Sequence, residues 1–203
     1  MTIRPVKISE LEILLSIIRQ TFIDTYEHLN DPADFQAYLS QNFTLEKLES
    51  DFKTVQNNQN TEGGCVNNYY FIETHKIIGY FKINVNKSPL ESDTPIIYQS
   101  NFDYKKLKGI EIERIYVVKD MKGHGIGRLM IEKITEIAKL NGFDYVWLGV
   151  WADNAAAIAF YQKMGFTVFG EHTFMMGNDA QKDFLMMIEI LRYPNILISQ
   201  YPN

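Results

Sequence analysis

The feature that most constrains this sequence is a glycine-rich segment that separates a predicted strand from a predicted helix. Three glycines stand at alternate positions, Gly123, Gly125 and Gly127. Residues 110–118 before them form an apolar, strand-like run, and residues 126–140 after them have apolar side chains at helical spacing. Glycine permits positive φ angles and lets a ligand approach the backbone closely. Because the first amides of a helix are free and its dipole places positive charge there, this segment is predicted to bind phosphate.

The spacing of the glycines separates this loop from two other phosphate-binding loops. A dinucleotide-binding fingerprint requires Gly-x-Gly-x-x-Gly, and a P-loop requires four residues between its glycines followed by Gly-Lys-Ser/Thr. Residues 123–127 have the pattern Gly-x-Gly-x-Gly and fit neither. A flexible glycine turn before a helix remains the alternative to a phosphate site.

Length and composition narrow the class of protein. The chain has 203 residues, of which 46% are hydrophobic, and this predicts one globular domain with a full core. The single cysteine, Cys65, cannot form an intramolecular disulfide. The first residues lack a signal-peptide pattern and no apolar run reaches the length of a membrane span, so we expect a cytoplasmic protein without a membrane role. The net charge of −5 argues against nucleic acid as a partner and is compatible with a cationic small molecule.

The strand before the glycine loop carries charges that need an explanation. Side chains alternate along a strand, so Glu111 and Glu113 are predicted on one face and Arg114 on the other. A buried carboxylate is costly unless it is paired or used in chemistry. The alternation also predicts that Arg114 cannot readily pair with either glutamate.

The first quarter of the chain contains an acidic stretch. Residues 20–46 include no lysine or arginine but five acids, among them Asp24 and Glu27 in a predicted helix. One interpretation is a solvated acidic face. The other is an acidic wall that attracts a cation such as a polyamine, with Asp24 and Glu27 contributing to substrate binding.

Two separate motifs resemble the GNAT superfamily of N-acetyltransferases. Residues 122–127, Lys-Gly-His-Gly-Ile-Gly, resemble its acetyl-CoA loop, Gln/Arg-x-x-Gly-x-Gly/Ala, with lysine in the first position. Residues 154–166, beginning at Asn154 and containing Phe160-Tyr161, resemble its Asn-x-x-Ala-x-x-Phe-Tyr-x-x-x-Gly-Phe segment. Each motif lies in a strand–loop–helix context, so the pair is more specific than either motif alone.

A closer resemblance is to the PaiA group of spermine and spermidine N-acetyltransferases. It rests on residues 113–117, on residues 147–151 and on a segment that includes His172, Gln181 and Asp183.

The resemblance implies a fold and a place for the cosubstrate. The fold would be α/β (α+β), the GNAT fold, with a central splayed mixed sheet of about six to seven strands and helices on both faces. Residues 1–190 would form a single domain and residues 191–203 a C-terminal tail. Acetyl-CoA would lie in the splay between the strands that end at Val117 and Val150.

The resemblance also implies direct transfer of acetyl from acetyl-CoA to an amine. Tyr161 matches the tyrosine that donates a proton to the departing CoA sulfur, and the alternative is a tyrosine that only packs in the core. Glu113 stands where some members carry a glutamate that acts as base, and the alternative is a structural partner of an arginine or of backbone amides. Glu111, two residues away, is the other candidate base.

The residues predicted to contact acetyl-CoA lie in a strand, in the glycine loop and in the second motif. They are Ile115, Tyr116, Val117, Lys122, Gly123, His124, Gly125, Ile126, Gly127, Arg128, Asn154 and Lys163. Within this set, the side chain of His124 is expected to face solvent, whereas His172 outside it is expected to pack. The sequence has no His/Cys/Asp cluster with metal-ligand spacing, so no metal is predicted.

The resemblance favours acetylation of a polyamine such as spermidine or spermine, by a monomer or a homodimer. The alternatives are acetylation of a peptide or protein amine, at the N-terminus or at lysine, and regulation by an acetyl-CoA-binding protein with little turnover.

Overall fold

A computed structural model describes residues 1–57, 69–85, 89, 97–98, 107–176 and 179–190. The predicted loop that carries Cys65 and the predicted tail of residues 191–203 lie outside these ranges. The described chain contains the helices α1 (Leu11–Tyr26), α2 (Pro32–Asn42), α3 (Leu45–Asn57), α4 (Ile126–Leu140) and α5 (Ala155–Lys163). Its strands are β1 (Thr2–Pro5), β2 (Tyr69–Glu73), β3 (Ile77–Val85), β4 (Ile97–Tyr98), β5 (Gly109–Val117), β6 (Tyr145–Trp151), β7 (Thr167–Met176) and β8 (Asp179–Glu189).

All the described strands belong to one mixed sheet. Its order is β1-β2-β3-β5-β6-β8-β7-β4, and every neighbouring pair is antiparallel except β5 and β6. The predicted mixed α/β (α+β) fold is therefore confirmed. The described sheet has one strand more than the expected six to seven, since β4 is only two residues long and gives no alternating pattern in the sequence.

The sheet separates two hydrophobic cores. Alternate residues of β2 enter different cores, because successive side chains of a strand point to opposite faces. Ile72 packs with Met130 of α4, whereas Phe71 packs with Leu14 and Ile18 of α1. The helices therefore cover both faces of the sheet, as predicted.

The two parallel strands part soon after they meet. β5 and β6 pair only over Gly109–Glu111 and Tyr145–Trp147, yet β5 continues to Val117 and β6 to Trp151. Beyond this short ladder the strands diverge and leave a gap in the middle of the sheet. The predicted splay is confirmed.

A β-bulge lies where β5 leaves β6, and it corrects one sequence prediction. Arg114 pairs with Lys82 of β3 and Ile112 pairs with the next residue, Ile83, so Glu113 is the extra residue. A bulge interrupts the alternation of side chains. Arg114 Nη2 consequently lies 3.4 Å from Glu113 Oε1, and the prediction that the two cannot pair is wrong.

A nearly buried lysine ties this bulge to helix α3. Lys82 Nζ lies 2.7 Å from Glu113 Oε2 and 2.8 Å from Asp51 Oδ2, and only 9% of the lysine side chain is exposed. Removing one partner from such a group leaves charges buried without compensation, which destabilises proteins far more than the loss of a surface pair.

We expect Lys82→Met to lower the free energy of unfolding by about 3 kcal/mol, because Asp51 and Glu113 would lose their shared cation. Lys53→Met is the matched control, since Lys53 is 70% exposed and lies 4.0 Å from Glu49; we expect it to change stability by less than about 0.5 kcal/mol. Urea unfolding measures both. Equal effects of the two substitutions would contradict the structural role of Lys82.

Candidate active site

A cavity of about 760 Å³ opens where β5 and β6 part. One half of it, the glycine-loop half, is formed by residues 121–123 and 125–128 together with Asn154 and Tyr161 from the second motif. The other half, the aromatic half, is formed by Phe22, Tyr26, Tyr38, Phe43, Phe174 and Asp183. Glu113, Arg114 and the end of β5 lie on the wall of the same cavity.

The glycine loop has the backbone geometry of an anion site. Gly123 and Gly125 have φ angles of +83° and +75°, which other residues rarely adopt. A Cβ atom at either position would meet nothing within 4 Å, so the space beside the loop is open. Helix α4 begins directly after Gly125 without a side-chain cap, and its first amides are therefore available to phosphate oxygens. The loop can therefore accept a phosphate group.

The third glycine, Gly127, lies at the contact between α4 and α5. A Cβ atom at Gly127 would lie 3.1 Å from Phe160 Cζ, so glycine lets α4 pack closely against α5. Asn154 begins α5 with a side-chain cap, in which its Oδ1 accepts a hydrogen bond of 3.1 Å from the Ala157 amide. The Asn154 Nδ2 group is then the part that can contact a ligand.

The structure brings most of the predicted cosubstrate residues together. All line the cavity except His124 and Lys163, whose side chains are exposed. His124 Nδ1 lies 3.1 Å from the carbonyl oxygen of Lys122 within the loop. Lys122 and Arg128 are the cations of the glycine-loop half, and Arg128 Nε also donates to Glu132 at 2.8 Å.

Tyr161 lies on α5 and faces the cavity. It is 9% exposed, and its ring packs against Phe160 and Phe166 with centroids 5.2 and 5.7 Å away. Burial raises the pKa of the Tyr161 phenol well above its usual value, with a smaller contribution from Tyr26. The hydroxyl therefore keeps its proton at neutral pH and can donate a hydrogen bond into the cavity.

The two predicted bases occupy different places. Glu113 lines the cavity and Glu111 does not, although Asn84 Nδ2 donates to both, at 2.7 and 2.6 Å. Burial opposes ionisation of Glu113, but the charges of Lys82 and Arg114 outweigh it and hold the pKa of its carboxyl below the usual value. Glu113 is thus an ion-pair partner in this structure, and a role as base stays a prediction for both glutamates.

The aromatic half contains a buried acid that sequence reasoning did not select as a site residue. The Asp183 side chain is 14% exposed, and its Oδ2 lies 3.7 Å from His172 Nε2. Burial raises the pKa of the Asp183 carboxyl to about 6. The available signal was an acid at the start of an apolar strand, but its partner depends on the register of β7 and β8, which the sequence does not reveal.

The predicted substrate acids lie beside the cavity. Asp24 accepts a hydrogen bond of 2.8 Å from Gln20 Nε2, and Glu27 is exposed. Neither lines the cavity, but Thr25 and Tyr26 between them do. Their role in substrate binding stays a prediction.

Among the described residues, no group of three or more His, Cys, Asp or Glu side chains is placed to hold a metal ion. No helix within the same ranges is both long and apolar enough to cross a membrane.

Comparison with known proteins agrees with this geometry. The model of the acetyltransferase (GNAT) family matches residues 20–166. An uncharacterized N-acetyltransferase from the pepI 3′ region of Lactobacillus delbrueckii subsp. lactis is 31% identical over 91% of this chain and 95% of its own.

Two solved structures share the fold at low sequence identity. The PaiA N-acetyltransferase from Thermoplasma acidophilum, in complex with coenzyme A, has a TM-score of 0.63 and 20% identity, and covers 93% of this chain and 98% of that one. The spermidine/spermine N-acetyltransferase SpeG from Vibrio cholerae has a TM-score of 0.60 and 14% identity, and covers 95% and 96%.

We expect Gly125→Ala to weaken coenzyme A binding at least about tenfold, because the loop would shift to relieve a left-handed φ that costs roughly 1–2 kcal/mol for other residues. Gly142→Ala is the matched control: Gly142 has a φ of +68° and open space around it, but it follows the other end of α4. Calorimetric titration with coenzyme A compares them. Equal affinities in the two variants would contradict the assignment of the loop.

Proposed function

The chain belongs to the acetyltransferase (GNAT) family, and we propose that its acceptor is a primary amino group of a polyamine. It is an acetyl-CoA-dependent N-acetyltransferase. The observation that carries the proposal is the composition of the cavity, in which an anion-binding glycine loop and a carboxylate among aromatic rings share one space. The first suits the diphosphate of acetyl-CoA and the second suits an ammonium group.

The splay supplies a place for the rest of acetyl-CoA. Among the described residues, β5 has no ladder to β6 beyond Glu111. The backbone groups on the edge of β5 that would face β6 therefore face the cavity at Ile115–Val117. The pantetheine arm carries amides of its own and can add to β5 like another strand. In this arrangement the diphosphate lies on the amides of residues 123–128, and Asn154 contacts the arm.

Charge favours a cationic acceptor in the aromatic half. Glu113 is already balanced by Lys82 and Arg114, so Asp183 supplies the negative charge that an incoming ammonium would meet. Tyrosine and phenylalanine faces attract cations through their quadrupoles. Asp24 and Glu27 stand next to the cavity-lining residues Thr25 and Tyr26, where a second ammonium of a long polyamine could reach them. The spermidine/spermine N-acetyltransferase SpeG, which shares the fold, is consistent with this class of acceptor.

The reaction requires two proton movements. An aliphatic ammonium with a pKa of about 10.4 must lose a proton before its nitrogen can attack, which costs about 4 kcal/mol at pH 7. The nitrogen then forms a bond to the thioester carbon, the C–S bond breaks, and the CoA thiolate takes a proton from Tyr161. The nitrogen releases its second proton as the amide forms, so one proton ends on sulfur and one reaches solvent after Tyr161 is reprotonated.

We expect acetyl-CoA to release CoA in the presence of spermidine or spermine, and Tyr161→Phe to lower kcat by at least about 100-fold while acetyl-CoA affinity changes little. Tyr145→Phe is the control, since Tyr145 is fully buried outside the cavity. A thiol reagent follows CoA release. Turnover only with a lysine or N-terminal peptide would refute the polyamine acceptor, and acetyl-CoA binding without turnover on any amine would favour a regulatory protein.

We further expect Asp24→Asn combined with Glu27→Gln to raise the KM for spermidine about two- to fivefold, as suits partly exposed charges worth less than about 1 kcal/mol. The KM for butylamine should stay unchanged, because a monoamine has no second ammonium to place at the mouth. Steady-state kinetics with the two amines make the comparison. An unchanged KM for spermidine would show that the acidic stretch is only a solvated face.

A further inference from the structure

In the aromatic half, the carboxylate of Asp183 and the imidazole of His172 lie next to each other on neighbouring strands. Asp183 of β8 and His172 of β7 are direct partners in the antiparallel ladder. Their side chains approach to 3.7 Å, between Oδ2 and Nε2, a distance at which a protonated histidine forms an ion pair. On its other side Asp183 pairs with Trp151, at the end of β6 where the splay is open.

A glycine opens the floor of the cavity above this pair. A Cβ atom at Gly149 would lie 3.3 Å from His172 Nε2 and 3.5 Å from Asp183 Oδ2. Its chain neighbours Leu148 and Val150 are buried, whereas Gly149 is exposed and lines the cavity. The missing side chain therefore leaves an opening through which a ligand in the cavity can reach the carboxylate.

The groups around Asp183 leave its charge available to a ligand. From β7 it faces His172, and the charge of Asp183 acts on the phenols of Tyr26 of α1 and Tyr38 of α2. On β5, which also lines the cavity, Glu113 pairs with both Arg114 and Lys82. Among the described residues, Asp183 thus acts on two phenols and lies beside an imidazole, and an ammonium ion would supply the positive charge that these groups do not.

The two carboxylates of the cavity differ in their suitability as a base. Glu113 accepts from Lys82 and Asn84 and lies beside Arg114, and these donors favour its ionised form. A proton on Glu113 would have to displace them. No such set of cations lies beside Asp183 among the described residues, and burial raises the pKa of its carboxyl to about 6, close to the pH at which general bases work best.

We propose that Asp183 binds the ammonium group of the acceptor and takes the proton that must leave its nitrogen before attack, and that His172 is a positioning residue for this carboxylate. The proposal rests on the amine acetyltransferase function above and names the base of that site. The N–H bond breaks, its electron pair becomes the nucleophilic lone pair, and the proton goes to a carboxylate oxygen of Asp183. The proton leaves through the cavity mouth after product release, which restores the carboxylate.

The pH dependence of kcat/KM for spermidine tests the proposal. In the wild type, kcat/KM falls about tenfold per pH unit below pH 6, because a protonated Asp183 cannot accept a proton. In Asp183→Asn, kcat/KM at pH 7 falls at least about 100-fold, the break near pH 6 disappears, and the rate rises about tenfold per pH unit towards the amine pKa of about 10. Acetyl-CoA affinity stays within about twofold, since Asp183 lies outside the glycine-loop half.

Glu171→Gln is the matched control. Glu171 is one position from His172, on the opposite face of β7, where it pairs with Lys182. This substitution removes one negative charge from the same ladder and leaves the profile of the wild type. Glu113→Gln distinguishes the two candidate bases. If Asp183 is the base, this substitution keeps the break in the pH profile of kcat/KM near pH 6.

A second acceptor distinguishes a base from a structural residue. 2,2,2-Trifluoroethylamine is a much weaker base than an alkylamine, and its nitrogen is largely neutral at pH 7. The loss caused by Asp183→Asn is therefore at least about tenfold smaller with this amine than with butylamine. His172→Leu lowers kcat/KM for butylamine, since the carboxylate loses the neighbour that orients it, and His172→Gln, which keeps an N–H donor, restores part of the activity.

The outcomes separate this inference from the function on which it rests. A wild-type protein that acetylates no amine would overturn both. A wild type that acetylates butylamine but no polyamine would overturn the polyamine acceptor and leave Asp183 testable with that amine. An Asp183→Asn loss that is the same at every pH and for both amines would overturn the base, as would a break near pH 6 that disappears in Glu113→Gln instead.

Discussion

The separation of β5 from β6 after three residue pairs is the constraint on which the rest of the site depends. If the ladder continued to Val117, the backbone of β5 would be satisfied within the sheet and no cavity would exist between the two cores. The bulge at Glu113 lies at the point of separation, and Lys82 holds it to β3 and to Asp51 of α3. The buried charge of Glu113, which would be costly without a partner, thus has a structural use: its ion pair with Lys82 fixes the place where the sheet opens.

The opened sheet joins two chemically different surfaces. On one side, a helix that begins at a left-handed glycine offers free amides to an anion. On the other, rings from α1 and α2 surround a carboxylate. Two acids of one cavity have pKa values displaced in opposite directions, with Glu113 lowered by its cations and Asp183 raised by burial. Such a division is typical of sites in which one acid is structural and the other exchanges a proton.

Local sequence predicted the parts of the site that local geometry builds. The positive φ angles of Gly123 and Gly125, the apolar face of α4 and the helix that follows Asn154 depend on neighbours within a few residues, and all are present. The glycine loop, Asn154 and Tyr161 consequently line one cavity.

The parts of the site that the sequence did not predict depend on the register between strands. The bulge that brings Arg114 to Glu113 and the ladder that places His172 opposite Asp183 require a pairing that the sequence does not state. The prediction for Asp24 and Glu27 was limited for a related reason. A count of charges along the chain does not show which of the side chains line the cavity, and Thr25 and Tyr26 line it instead.

The most direct test of this account is a crystal structure of the protein with coenzyme A and spermidine. The account predicts that the diphosphate lies on the amides of residues 123–128 and that the sulfur faces the Tyr161 hydroxyl. It also predicts that a primary nitrogen of spermidine lies in the aromatic half within hydrogen-bonding distance of Asp183. Coenzyme A bound outside the splay would contradict the central claim, and a spermidine nitrogen held by Glu113 instead would contradict the assignment of the base.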